Sequence, residues 1–157
     1  MQIIFILWVS ILFIGCAPKS YTINESKLII IKTPKFKYAD LGYVRKNKNE
    51  VKIDLFIAGN LIQSFEIDTL ICANEGCMRK SSFNEEFLNS SYHYDILKNI
   101  FLASPIFESK NLEKTSTGFE QNIKTKDYDI TYKIENDEVY FKDKQNKILI
   151  KIKKIKG

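Results

Sequence analysis

Residues 51–67 read VKIDLFIAGNLIQSFEI, and the texture of this stretch decides the fold. Val51, Ile53, Leu55 and Ile57 fall on one side of an extended chain while Lys52 and Asp54 fall on the other, the period-two pattern of a half-buried strand. Gly59-Asn60 reads as a two-residue turn, with residues 61–67 as the returning strand of a hairpin.

Outward from this hairpin the chain keeps the same character. Towards the N-terminus, residues 27–32 form a short apolar run that Pro34 interrupts. Phe36, Tyr38 and Tyr43 fit a second, irregular strand. Towards the C-terminus, residues 68–73 and 77–80 flank the turn signal Asn74-Glu75-Gly76. The period then changes. Ser82, with Glu85 three positions later, has the spacing of a capping box, and Phe83, Phe87 and Leu88 give that helix an apolar side. Ile96, Leu97, Ile100 and Phe101 mark a second amphipathic helix, ended before Pro105. After a polar connection over 108–117, strands are expected at 118–124, 128–134, 138–142 and 147–155. Strands, two short helices and strands again predict an α+β fold. We expect a strongly curved antiparallel sheet, an open half-barrel, with the two helices covering one face.

The chain has 157 residues, of which 45% are hydrophobic and 13% aromatic, so it is globular rather than disordered. Its first fifteen residues carry no charged side chain, and positions 3–14 are apolar apart from Ser10. This run is about a dozen residues long, shorter than the roughly 20 that span a bilayer as a helix. It ends in Phe13-Ile14-Gly15-Cys16, which resembles the bacterial lipobox, with Phe13 where Leu is commonest and no Lys or Arg ahead of the run. The resemblance implies cleavage before Cys16, a diacylglycerol on its thiol and acylation of the new amine. The organisation expected is a signal peptide over 1–15, a lipid-anchored tether over 16–27 and one domain over 28–157. Ala17-Pro18 follow the cysteine in place of Asp, and similarity to the lipoprotein sorting rule implies the outer membrane, on the periplasmic side.

Export narrows the chemistry. The formal net charge is +5, nearly all from lysine, with the densest stretch over 142–156. Lysine interleaved with aromatics is also a nucleic-acid pattern, but an exported, anchored chain meets anionic lipid headgroups instead, and no nucleic-acid partner is expected. The alternative is the solvated face of a strand. Cys72 and Cys77 flank a turn and lack C-x-x-C spacing, so in an oxidising compartment they are expected to pair structurally, with a redox role as the alternative. His93 is the sole imidazole. One histidine assembles neither a zinc site nor an acid–base constellation, and neither a phosphate loop nor a serine elbow is visible. We expect no metal, no cofactor and no enzymatic activity.

The order of elements also resembles the LolB-like family, the outer-membrane receptors of the lipoprotein-localisation pathway. The similarity runs over roughly residues 36–156. Its carriers are the apolar turn Ile57-Ala58-Gly59-Asn60-Leu61, the polar hairpin leading into a helix, and Ala103-Ser104-Pro105 closing the second helix. Gln121, the strand Asp127-Tyr128-Asp129-Ile130-Thr131-Tyr132 and the alternating last strand stand in similar places. The family's tryptophans are missing, since Trp8 is the only one, and no Pro precedes Leu61. The resemblance implies an apolar cavity that takes acyl chains or lipoproteins from a periplasmic carrier and an exposed apolar turn that helps insert them into the outer membrane. Leu61 and Ile62 are the membrane-contact candidates; otherwise both turn into the core. Ile53, Leu55, Phe65, Ile96, Ile100, Phe119 and Ile130 either line that cavity or fill the core. The alternative function is a structural or assembly lipoprotein of an envelope complex, with a filled core and an apolar outer patch.

Overall fold

The computed structural model describes residues 20–155. Six strands come first: β1 (Ile23–Lys32), β2 (Lys37–Lys46), β3 (Val51–Ile57), β4 (Asn60–Ile67), β5 (Leu70–Ala73) and β6 (Gly76–Arg79). Helices α1 (Lys80–Phe87) and α2 (Ile96–Leu102) follow, then a 3-10 turn at Phe107–Ser109. The chain closes with β7 (Leu112–Lys114), β8 (Gly118–Lys124), β9 (Asp129–Glu135), β10 (Glu138–Asp143) and β11 (Ile148–Lys154). All eleven strands form one open antiparallel sheet in the order β6-β5-β4-β3-β2-β1-β11-β10-β9-β8-β7. The first and last long strands thus meet at its centre, with Ile29 opposite Ile152 and Ile31 opposite Ile150.

Alternation sets the buried face. Ile29 and Ile31, Tyr38 and Val44, Val51 and Ile53, Ile130 and Tyr132, Val139 and Phe141, and Ile148 and Ile150 all point to the side that the helices cover. Gly42 sits in this face because the space is taken: a Cβ there would lie 2.6 Å from Ile29 Cδ1 and 2.8 Å from the Asp54 carbonyl. Helix α2 buries Ile96, Leu97, Ile100 and Phe101 and rests on both β3 and β10, which stand four places apart in the sheet. Its end is an αL residue, Ala103, after which the Ser104 N–H donates to the Asn99 carbonyl at 2.9 Å. Lys80, buried at the start of α1, reaches Asp95 at 2.7 Å and so ties the two helix starts together.

Several boundaries differ from those expected. β1 begins at Ile23, inside the stretch read as tether, because residues 23–27 complete the ladder with Lys46 to Gly42 of β2. The β3–β4 hairpin turns on Ala58-Gly59, not Gly59-Asn60: both turn residues have positive φ, 49° and 81°, and Asn60 already pairs with Ile57. Ser82 does not cap α1, since β6 runs straight into the helix at Lys80 and no side chain caps its start. The polar connection contains the edge strand β7, which pairs Leu112 with Gln121.

Candidate functional site

An apolar pocket of about 500 Å³ lies between the helices and the β3–β6 side of the sheet. Its depth is hydrocarbon: Ile31, Ile53, Ile67, Ile71 and Ile150 from the sheet, with Phe83, Leu97 and Phe101 from the helices, all buried residues. Its mouth is formed at three places: buried Thr33 with half-buried Phe36 in the β1–β2 turn, exposed Glu75 to Cys77 at the β5–β6 turn, and Glu86 to Leu88 at the end of α1. Phe65 stands in the wall, edge-on to Phe36 at 6.5 Å and to Phe83 at 6.1 Å.

The mouth has a stiffened wall. Cys72 and Cys77 face each other across β5 and β6 and are joined as a disulfide. Asn74 in that turn binds β4 from both ends of its amide, accepting from the Ser64 N–H at 3.2 Å and donating to the Ile62 carbonyl at 3.3 Å. On the facing strand a bulge at Leu55/Phe56 is held by the Tyr38 hydroxyl, which accepts from the Phe56 N–H at 3.0 Å.

The seven cavity candidates divide. Ile53 and Phe65 line the pocket. Leu55, Ile96, Ile100 and Ile130 are buried away from it, and Phe119 packs edge-on against Tyr132 at 5.7 Å. On α2 the pocket residues are Leu97 and Phe101. The remaining walls, Ile67, Ile71, Met78 and Phe83, were not singled out from the sequence as cavity residues, although the Phe83/Phe87 spacing marks that face of α1. Leu61 and Ile62 are exposed, at 53% and 39%, and Ile57 beside them is 52% exposed. The hairpin end thus presents three apolar side chains to solvent. Cys16 lies outside the described residues.

The β8–β10 side is filled by aromatic rings. Tyr92, Phe107, Tyr128, Phe141, Tyr132 and Phe119 form a continuous set of ring contacts there, Phe107 stacked on Tyr128 at 5.1 Å. The buried polar groups within it are satisfied. Gln121 accepts from the Ile106 N–H at 2.9 Å and donates to the Ile106 and Lys110 carbonyls at 3.0 and 2.7 Å. Asp143 accepts the Tyr92 hydroxyl, the Asn146 amide at 2.6 Å and three backbone N–H groups. Burial pushes its carboxyl up, but these donors outweigh that and hold it below the usual carboxylate range. The same burial, together with Asp143, drives the Tyr92 hydroxyl far above its ordinary value.

His93 is exposed beside the Tyr94 ring at 4.2 Å and accepts from the Asp95 N–H through Nδ1 at 3.3 Å. Among the described residues no group of three or more His, Cys, Asp and Glu side chains is placed to hold a metal ion. Among the same residues no helix is long and apolar enough to cross a membrane. The chain matches no family model, no curated protein and no solved structure.

Proposed function

We propose that this chain is a lipid-anchored outer-membrane lipoprotein, facing the periplasm, that holds an acyl chain in the pocket and helps deliver it to the membrane. Cys16 carries the anchor, and a periplasmic carrier supplies the acyl chain or acylated protein. The pocket itself carries the reading. A methylene fills about as much space as a water molecule, roughly 30 Å³, so about 500 Å³ suits one long acyl chain, on the order of 16 carbons. The buried walls offer hydrocarbon and aromatic surface, while Gln63, Glu75 and Glu86 near the mouth leave a polar headgroup in water.

We further infer that the sheet is strongly curved, an open half-barrel. The support is that α2 rests on β3 and β10 together. Four strand spacings span about 19 Å on a flat sheet, whereas a helix is only about 10 Å wide. A sheet bent around the helix brings both strands to it, and the space left beside the helix is the pocket. Ile57, Leu61 and Ile62, exposed at the hairpin end, are suited to enter the acyl boundary of a bilayer.

Native mass spectrometry of the exported protein tests this reading. The expected spectrum shows one added mass of a single acyl lipid or acylated peptide per chain. A spectrum of unliganded protein alone, after incubation with palmitoyl lipid vesicles, contradicts it and leaves the assembly reading. Leu61→Glu is expected to change stability by no more than about 0.5 kcal/mol while slowing acyl-lipid transfer to liposomes. Unchanged transfer in that variant removes the hairpin from the mechanism.

A further inference from the structure

The side of the sheet turned away from the helices carries a pattern that acyl binding does not use. Strand register arranges its side chains in rows. One row crosses from Lys142 through Leu149 and Lys32 to Lys37. The next holds Lys133, Tyr140, Lys151 and Ile30, and a third Lys153, Leu28 and Leu41. Lysine and apolar groups therefore share the centre of the sheet. Leu41 is 48% exposed and Tyr43, one outward position along β2, 44%.

Carboxylates flank the lysine rows: Glu138 shares a shallow hollow with Leu28, Leu41 and Lys153, and Asp54, opposite Tyr43, is taken up by Arg45. Glu120 pairs with Lys133 at 2.7 Å, and Glu138 accepts the Lys154 backbone N–H at 3.3 Å. Among the described residues, Lys32, Lys37, Lys142, Lys151 and Lys153 make no ion pair. Lys32 and Lys37 even stand directly opposite each other, and like charges so placed oppose folding unless an anionic partner lies over them.

The route of the chain indicates what that partner is, and here the argument rests on the lipid-anchor reading. The Ser20 carbonyl accepts from the Asn47 amide at 3.4 Å, so the chain leaves the domain beside the β2–β3 turn. Cys16 is four residues further, a reach of at most about 14 Å. The apolar hairpin of Ile57, Leu61 and Ile62 is at the other end of β3, roughly 20 Å away along the strand. With about 14 Å of reach at one end and roughly 20 Å between them, both places touch one bilayer only when the strands lean no more than about 45° from its surface. The helices occupy one face of the sheet, and the lysines without carboxylate partners on the other match that other face to anionic lipid.

We propose that this outward face of β10, β11, β1 and β2 lies flat on an anionic bilayer, with the lysines at lipid phosphates and Leu28, Leu41 and Tyr43 at the headgroup boundary. Near an anionic surface each lysine contributes about a fivefold factor in partitioning. Salt screens that attraction.

Depth-sensitive fluorescence quenching tests the proposal on the full exported chain. Cleavage before Cys16 removes the sole native indole, Trp8, and Leu41→Trp places one on the outward face, with Tyr94→Trp on the helix side as control. Vesicles carry a nitroxide on phosphocholine headgroups, with or without about 30% phosphatidylglycerol by design. The expected result is quenching of Trp at 41 but not at 94 with anionic vesicles. That quenching falls at least tenfold in effective affinity on adding salt or on Lys151→Glu with Lys153→Glu. Quenching at 94 instead of 41, none at 41, or quenching indifferent to both phosphatidylglycerol and salt overturns it. A protein partner on this face would give the second of these outcomes. The salt arm needs no charge variant, so misfolding of the double variant leaves the test intact. Intact mass of the same samples reports the acyl groups on Cys16, which separates failure of the anchor from failure of the face.

Discussion

Around β8–β10 the sheet is covered by rings from Tyr92 to Phe119 touching in sequence, with Gln121 and Asp143 fully hydrogen-bonded. Around β3–β6 the same sheet faces about 500 Å³ of apolar space beneath two short helices. Both sides bury β-branched and aromatic residues at the same alternating positions. The difference lies in what covers them. The 103–111 loop presses Ile106 and Phe107 onto the filled side, fastened through Gln121 and Tyr132, whose hydroxyl donates to the Ser104 carbonyl at 2.9 Å. On the hollow side α1 has eight residues and its cover stops at Phe87 and Leu88, near the mouth. One half is built for stability, the other leaves its hydrocarbon without a partner.

The largest effect separates the halves by truncation. Phe141→Ala on the filled side should cost about 3–5 kcal/mol, since ordered neighbours cannot collapse into the gap. Phe65→Ala in the pocket wall should cost about 1–2 kcal/mol, because that ring already borders empty volume. Urea melts of the two variants measure both, and equal losses would erase the distinction.

Acid sharpens it next. Asp143 has a folded pKa below its unfolded value, so its contribution is fully present above the ordinary carboxylate pKa of about 3.9 and is lost as pH falls through the lower, folded value. Asp143→Asn should remove about 2–3 kcal/mol at pH 7 and flatten the fall in stability below about pH 4. A variant with the wild-type acid profile would show that the carboxylate is not what the Tyr92 hydroxyl and the Asn146 amide hold.

The smallest effect concerns the exposed hairpin. Ala58 adopts φ 49° at a turn position that favours Asn or Gly. Ala58→Asn should therefore stabilise by about 0.5 kcal/mol. Melting in urea reads the shift, and destabilisation would mean that the turn geometry differs.

The strands were legible because alternation is a local property: Val51, Ile53 and Leu55 point inward for the reason visible in their spacing. β7 was hidden because Leu112-Glu113-Lys114 is three residues long, with one apolar side chain. The start of α1 was misplaced because its buried lysine is held by Asp95, fifteen positions away, not by a local cap. The pocket was only half legible. Ile96, Leu97, Ile100 and Phe101 all mark the buried side of α2, but which pair faces the hollow depends on how the helix is rotated over the sheet, a tertiary fact. Ile71 and Met78 sit on short strands where alternation has hardly two turns to declare itself.

The central claim, that the hollow half holds one acyl chain, is tested most directly by photo-crosslinking with a palmitoyl lipid bearing a photoactivatable group near the chain end. The exported protein is irradiated in vesicles, and the modified peptides are mapped by mass spectrometry. Crosslinks should fall in peptides containing Ile71, Met78, Phe83 and Phe101, which surround the pocket. Met78→Trp, which fills that space, should abolish them, whereas Phe119→Trp on the filled side should leave them in place. Crosslinks confined to Leu61 and the outward sheet face, or undiminished by Met78→Trp, would contradict the account.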